Sequence, residues 1–130
     1  MLDTNICIYI IKHKPESVFR YLQKHDPSEI CISSITYAEL IYGVEKSKFV
    51  ERNRVALTIM LANIDIIDFD SKAAESYGKI RSELEKKGNI IGQLDMMIAG
   101  HAKSLGYIVV TNNTKEFKRV SGIRIENWVE

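Results

Sequence analysis

Short runs of branched apolar residues alternate with longer segments of helical period along the whole chain. Four runs are rich in isoleucine and valine, at residues 30–32, 64–67, 107–110 and 123–125. Runs this short suit strands buried on both faces, and helical segments between them supply the crossovers that a parallel sheet requires. The pattern predicts an α/β fold with four or five strands in a mainly parallel sheet.

The segments between these runs carry apolar residues at helical spacing, with capping residues at their ends. They predict helices at residues 5–13, 16–25, 35–46, 51–62, 71–87 and 94–105. Residues 111–117 leave the last strong strand and are predicted as a loop. Because no linker, repeat or low-complexity tract interrupts this order, one domain spanning residues 1–130 is expected.

Composition excludes several classes of protein. The 18 basic and 17 acidic residues give a net charge of +1, which indicates neither a nucleic-acid binder nor an acidic interaction module. No run approaches the ~20 apolar residues of a membrane-spanning helix, and the first residues lack a secretory signal. Cys7 and Cys31 lie within apolar runs, which favours free buried thiols. A soluble, cytoplasmic protein with no membrane contact is expected.

Four acidic residues stand where a solvated carboxylate is not expected. Asp3 precedes a strand-to-helix turn, and Glu116 lies in the segment that leaves the strand at 107–110. Both therefore face the edge at which open parallel sheets bind ligands. Glu39 and Asp95 lie on otherwise apolar stripes of their helices, which predicts partial burial of both.

Each of these acids, taken alone, has an ordinary structural interpretation as a helix cap, a first-turn acid or a solvated loop residue. Glu39 fits those interpretations least, because no basic residue lies within four positions of it. If the sheet brings all four within a few ångströms, their repulsion favours a divalent cation, and oxygen ligands favour Mg²⁺ or Mn²⁺. No histidine pair has zinc spacing, and His101 is predicted on the side of its helix opposite Asp95.

Four motifs follow one another in order along the chain. They are MLDTN at 1–5, SSITYAELIYG at 33–43, DMMIA at 95–99 and TNNTKEF at 111–117, followed by the closing IRIENW at 123–128. Together they resemble the VapC family of PIN-domain toxins over essentially the whole chain. The resemblance implies a three-layer α/β/α sandwich and an endoribonuclease that depends on Mg²⁺ or Mn²⁺. It also implies cleavage of structured RNA, with initiator tRNA expected, a cognate VapB antitoxin, and a toxin homodimer within a larger toxin–antitoxin assembly.

The same resemblance assigns roles to residues. Asp3, Glu39 and Asp95 become the catalytic carboxylates and metal ligands, with Glu116 as the more variable fourth acid. The residues expected to orient these acids or nearby water are Thr4, Asn5, Ser33, Thr111 and Asn113. Leu94 departs from the family, whose members often carry a polar or aromatic residue there.

Charge outside these acids suits contact with a nucleic-acid backbone. Without the four acids, 13 acidic residues remain against 18 basic ones, a surplus of five positive charges. The basic residues nearest the motifs are Lys12, Lys46 and Lys115, which are predicted RNA contacts. Two other functions stay open. One is a structure-specific or single-strand DNA nuclease of the wider PIN-like class. The other is a non-catalytic RNA-binding module whose acids are paired with Lys or Arg.

Overall fold

The structure is a computed structural model that describes all residues, 1–130. Its elements, in chain order, are α1 (Thr4–Lys12), α2 (Glu16–Gln23), β1 (Cys31–Ser33), α3 (Ser34–Glu45), α4 (Val50–Leu61), β2 (Asp65–Ile67), α5 (Ser71–Lys86), α6 (Gln93–Leu105), β3 (Ile108–Val110), α7 (Thr114–Phe117) and β4 (Arg124–Glu126), with a 3₁₀ turn at Pro27–Glu29. Every predicted helix and strand is present, with ends that differ from the prediction by at most two residues.

The prediction was wrong for residues 114–117, which form the single helical turn α7 instead of a loop. The turn is held by backbone hydrogen bonds from Phe117 N to Asn113 O and from Lys118 N to Thr114 O. One turn is too short to show a helical repeat of apolar residues, and Asn113 provides no side-chain cap to it. The sequence therefore carries no local signal for this element.

The first residues of the chain complete a parallel sheet. Strands β1 and β2 pair in parallel, as do β3 and β4. Between the two pairs, Leu2 N donates to Cys31 O at 2.9 Å, while Asp3 N donates to Val110 O at 3.0 Å. Leu2 is also bridged in parallel to Val110. Residues 1–3 thus act as the central strand of a five-stranded sheet in the order β2, β1, residues 1–3, β3, β4.

Helices cover both faces of this sheet. Alternate strand residues enter opposite cores, as the period of a strand requires. One core holds Met1, Cys31 and Val109 with residues of α5 and α6. The other holds Leu2, Ile32 and Val110 with residues of α1, α2, α3 and α4. This arrangement confirms the predicted three-layer α/β/α sandwich.

Helices α5 and α6 approach each other closely at Gly100. A Cβ atom built on Gly100 would lie 2.7 Å from the backbone nitrogen of Tyr77, closer than real Cβ contacts permit. Position 100 therefore requires glycine for the two helices to pack as they do. Because α6 begins at Gln93 and carries Asp95 in its first turn, this contact helps to fix where Asp95 lies.

Both cysteines are buried and free, as their apolar surroundings predict. Burial raises the pKa of each thiol, which keeps both protonated and unreactive at neutral pH. None of the helices combines the length and the apolar character that crossing a bilayer requires.

Candidate active site

Asp3 lies at the carboxyl edge of the central strand and is 4% exposed. It is the N-cap of α1, where its Oδ1 accepts a hydrogen bond from Ile6 N at 3.0 Å. Its Oδ2 accepts a bond from the hydroxyl of the buried Thr111, the residue that follows β3. Burial raises the pKa of Asp3, the nearby Glu39 charge acts in the same direction, and the bonds from Thr111 and Ile6 partly oppose the rise.

Asp95 lies half-buried in the first turn of α6, whose N-cap is Gly92. A Cβ atom at Gly92 would lie only 3.4 Å from Asp95 Oδ2, so the glycine leaves the space beside the carboxylate free. Burial raises the pKa of Asp95 to about 6, and the charges of Asp3, Glu116 and Glu39 contribute to the rise. These four acids are therefore close enough to interact electrostatically at one edge of the sheet.

Asn113 connects Asp95 and Glu116. Its Nδ2 donates to Glu116 Oε2 at 3.0 Å and to Asp95 Oδ2 at 3.3 Å. Its backbone N–H donates to the hydroxyl oxygen of Thr111 at 2.9 Å, and that hydroxyl in turn donates to Asp3. One chain of hydrogen bonds thus runs from Asp3 through Thr111 and Asn113 to the other two acids.

Glu39 lies on α3, one turn after a buried Thr36, and is half-buried as its apolar stripe predicts. The hydroxyl of Thr4, the first residue of α1, donates to Glu39 Oε1 at 2.6 Å. Thr4 directly follows Asp3 in the chain. The N-terminus of α1 therefore positions both acids, because Asp3 is its N-cap and Thr4, its first residue, donates to Glu39.

No basic side chain neutralises these acids. The ion pairs of the structure are Glu45 with Arg54 and Glu85 with Arg81, both on exposed helix surfaces. The hydrogen bonds to the four acids instead come from backbone N–H groups, hydroxyls and an amide, all of which are neutral. Four anionic oxygen donors without a cationic partner form a ligand set that fits a hard divalent ion such as Mg²⁺ or Mn²⁺.

The four acids are nevertheless more widely spread than expected. No three acidic, cysteine or histidine side chains converge closely enough to form a ready-made ligand cluster. The close convergence of three or four carboxylates, on which the sequence argument for a divalent cation was conditional, is not present among these side chains. Thr111, Thr4 and Asn113 each hold an acid in its own direction, so the carboxylates line a common edge without meeting at one point.

The other predicted residues differ in whether they contact the acids. Asn5 is exposed, and its backbone N–H lowers the pKa of Asp3. Ser33 caps α3 through a bond from Ile35 N and pairs with His101 Nδ1 at 2.9 Å, so its hydroxyl contacts none of the four acids. His101 is buried, and its ring packs at a steep angle against the ring of Phe69.

The three predicted RNA-contact lysines are all exposed. Lys12 lines a groove that also contains Glu39, Lys115 lies on α7 one residue before Glu116, and the ammonium of Lys46 lies over the ring of Tyr42.

Two features of this region escaped prediction. Thr36 is fully buried, and its hydroxyl is the one buried side-chain polar atom that lacks a hydrogen-bond partner. Its position three residues before Glu39 on the same stripe was a signal for proximity to that acid. Asn113 was expected to orient an acid or nearby water, but its specific bridge between Asp95 and Glu116 had no local signal, because it depends on how α6 and the turn after β3 meet.

Comparison with known proteins gives this geometry a family. The PIN domain family matches residues 1–123 of the chain. A tRNA(fMet)-specific endonuclease VapC of Shigella flexneri is 52% identical over 128 residues, covering 98% of this chain and 96% of that protein. The chain belongs to the VapC family of PIN-domain nucleases.

Solved VapC structures share the whole fold. The VapBC2 complex of Rickettsia felis, bound to a promoter DNA fragment, contains a chain that superposes with a TM-score of 0.92 at 48% identity, covering 98% of this chain and 97% of that one. A chain of the DNA-bound VapBC complex of Salmonella typhimurium superposes with a TM-score of 0.93 at 51% identity, with 98% and 96% covered. In this VapC-family nuclease, four acids lie at the carboxyl edge of the sheet. That edge is therefore the candidate active site.

Proposed function

We propose that this chain is a divalent-metal-dependent endoribonuclease toxin that cleaves initiator tRNA and thereby inhibits translation. The observation that carries the proposal is the group of four acids at one sheet edge with no basic partner, in a chain of the VapC family. A non-catalytic RNA-binding module would instead need Lys or Arg beside these acids. The proposed catalytic unit is one PIN domain spanning residues 1–130, acting in the cytoplasm.

The acids divide into proposed metal ligands and a supporting acid. Asp3 and Asp95, the two whose pKa values are raised, would hold Mg²⁺ or Mn²⁺ directly, and Glu39 would bind it directly or through water. Glu116, tied to Asp95 through Asn113, completes the negative edge. Such an ion, when bound, supplies positive charge that activates water and offsets the negative charge of the transition state.

The remaining residues of the edge orient the acids. Thr111 holds one oxygen of Asp3 while Ile6 N holds the other, so this carboxylate has a single direction. Thr4 fixes Glu39 in the same way, and Asn113 restrains Asp95. Neutral donors restrain each carboxylate without cancelling its charge, so the acids stay available to a cation.

The proposed substrate and partner follow from the relatives. The Shigella flexneri and Salmonella typhimurium proteins are both named tRNA(fMet)-specific endonucleases, at 52% identity to this chain. The solved VapBC structures are toxin–antitoxin complexes. We infer that a cognate VapB antitoxin binds this chain and that the toxin forms a homodimer within the larger assembly. Lys12, Lys46 and Lys115 would contact RNA phosphates around the edge.

Cleavage of purified tRNA tests the proposal. The chain, freed of any antitoxin, is incubated with a total bacterial tRNA pool and with single-stranded DNA, in Mg²⁺, in Mn²⁺ and in EDTA. We expect discrete cuts in initiator tRNA that require metal and fall to background in Asp95→Asn. Asp65→Asn, on the exposed edge strand β2, is the matched control and keeps wild-type activity.

The alternatives give different results in the same assay. Equal cleavage of single-stranded DNA would replace the proposal with the wider class of PIN-like nuclease. Intact RNA under every condition, from a folded chain that also fails to bind Mn²⁺, would overturn the catalytic interpretation.

A further inference from the structure

Tyr42 is the most exposed of the six tyrosines, with 65% of its surface accessible. It projects from α3 into solvent, so it contributes little to either core. The ammonium of Lys46, one turn further along the helix, lies 4.9 Å from the centre of its ring. An aromatic ring and a cation are thus held together at the surface, with most of the ring free for another contact.

This pair shares a helical face with an acid of the candidate site. Glu39, Tyr42 and Lys46 are spaced by three and four residues on α3, which places them in one row along the helix. Lys12 of α1 and Gly43 line a groove that also contains Glu39. The Tyr42 ring therefore neighbours Glu39 along the helix and has the ammonium of Lys46 over it.

The acidic edge creates a specific requirement for an RNA substrate. Four carboxylates repel phosphates, so a chain of nucleotides needs an attractive contact close to them. Base stacking on an exposed aromatic ring supplies attraction that carries no charge, and a neighbouring ammonium pairs with the phosphate of the stacked nucleotide. Tyr42 lies one helical turn from Glu39 and Lys46 about two turns from it, so both contacts are available on the same stretch of helix.

We propose that Tyr42 and Lys46 form a stacking platform that holds an unpaired RNA base beside Glu39, next to the bond that is cut. This inference rests on the proposed endoribonuclease function and adds a binding contact to it. Tyr42 acts on substrate affinity and has no part in the chemical step.

A second exposed aromatic residue provides a matched control. Phe49 is 57% exposed, and the ammonium of Lys48 lies 5.9 Å from its ring centre. Phe49 precedes α4 and lies beyond the end of α3, so it does not share the row that contains Glu39. The two residues match in exposure and in their cation and differ in their relation to the acids.

The experiment measures kcat and KM on an RNA stem-loop with an unpaired loop that wild type cleaves. Tyr42→Ala is expected to raise KM about 5- to 100-fold with kcat changed less than about twofold, the range expected for loss of one stacked base. Phe49→Ala is expected to leave KM within about twofold of wild type. Tyr42→Phe and Tyr42→Trp are expected to keep KM close to that of the wild type, because stacking needs the ring and not the hydroxyl.

Fluorescence gives a readout that does not depend on cleavage. Trp128 is the only tryptophan of the chain and is 2% exposed, so Tyr42→Trp adds a single exposed reporter. In the Tyr42→Trp/Asp95→Asn double variant, the uncleaved RNA is expected to quench this added emission. In Phe49→Trp/Asp95→Asn, emission is expected to stay unchanged.

The outcomes separate this inference from the proposed function. If wild type cleaves RNA while Tyr42→Ala and Phe49→Ala have equal KM values, the platform is overturned and the nuclease stands. If wild type cleaves no RNA, the proposed function fails. The platform is then tested by fluorescence alone: quenching at position 42 supports it, and the absence of quenching overturns it. A Tyr42→Ala variant that loses affinity for the antitoxin while its KM is unchanged would assign the ring to protein binding and overturn the platform.

Discussion

Asp95 lies in the first turn of α6, where a helix N-terminus ordinarily stabilises a carboxylate. Its pKa is nevertheless raised to about 6, because burial and the charges of Asp3, Glu116 and Glu39 outweigh the favourable contacts. A negative charge is thus maintained at a position where the fold alone disfavours it. Sites that bind cations commonly carry this kind of electrostatic cost.

The raised pKa predicts a pH-dependent effect of Asp95→Asn on stability without metal. An unfolded aspartate has a pKa of about 3.9, so between about pH 4 and 6 the folded chain binds the extra proton. The free energy of unfolding of the wild type therefore falls as the pH rises through this range, and the neutral Asn escapes the loss. We expect Asp95→Asn to be more stable than wild type by about 1–2 kcal/mol above pH 6, after allowance for solvent screening.

Urea unfolding in EDTA across pH 4 to 8 measures this difference. The two proteins should converge in stability near pH 4, and Asp65→Asn serves as the control for the substitution itself. An advantage of Asp95→Asn that stays constant with pH would show that a change in packing, and not the charge, is responsible.

For single residues, the sequence predicted which acids are unusually placed but not which hydrogen bonds orient them. Glu39 was identified because a carboxylate stood on an apolar stripe, and its half-burial agrees. The bond from Thr4 to Glu39 and the bridge of Asn113 between Asp95 and Glu116 depend on side-chain directions set by packing between distant elements. Local sequence contains no information on those directions.

The contact between α5 and α6 has its critical position at Gly100, where the backbone of Tyr77 occupies the space that a side chain would need. Helices that approach this closely bring backbones into contact, which requires a residue without Cβ. Asp95 lies in the first turn of α6. A change in the packing of α6 against α5 would therefore also move an acid of the candidate site.

Gly100→Ala is expected to destabilise the fold by about 1–3 kcal/mol, because the added methyl group must push the α5 backbone away. Gly78→Ala, in the interior of α5 with no atom near its Cβ position, is expected to stabilise by about 0.5–1 kcal/mol through helix propensity. Chemical denaturation of both variants measures the two effects. A Gly100→Ala protein as stable as Gly78→Ala would contradict the close approach.

Elements with a strong local pattern were predictable and those without one were not. The isoleucine and valine runs located all four strands, although only β1 and β3 are mostly buried and the edge strands β2 and β4 are largely exposed. Helix α5 was predicted from its helical period with Asp70 or Ser71 as its cap, and Asp70 is the N-cap, accepting a bond from Ala73 N. The turn α7, between β3 and β4, was missed because its four residues carry no local signal for a helix.

The proposed cation site would couple metal binding to folding, because the four acids come from separate parts of the chain. Asp3 precedes α1, Glu39 lies on α3, Asp95 on α6 and Glu116 on α7. An unfolded chain does not hold these residues together, so a metal ion that needs several of them binds the folded state alone. Metal should then raise stability by mass action.

Mn²⁺ at about 100 times its dissociation constant is expected to stabilise the wild type by about 2.7 kcal/mol. Thermal unfolding with increasing Mn²⁺, compared with Ca²⁺-free EDTA buffer, measures the shift in Tm. The Asp3→Asn/Asp95→Asn double variant should show little shift at the same concentrations. A shift of equal size in both proteins would place the ion elsewhere on the surface.

The central position of residues 1–3 also orders events during synthesis. Asp3 is synthesised well before Thr111, its hydrogen-bond partner, which follows 108 positions later. Val110, which pairs with the first residues across the sheet, is made equally late. A nascent chain that is still missing β3 has no partner for one side of its central strand and no completed acidic edge. A toxic activity located at that edge would arise only after β3 and Thr111 have been translated.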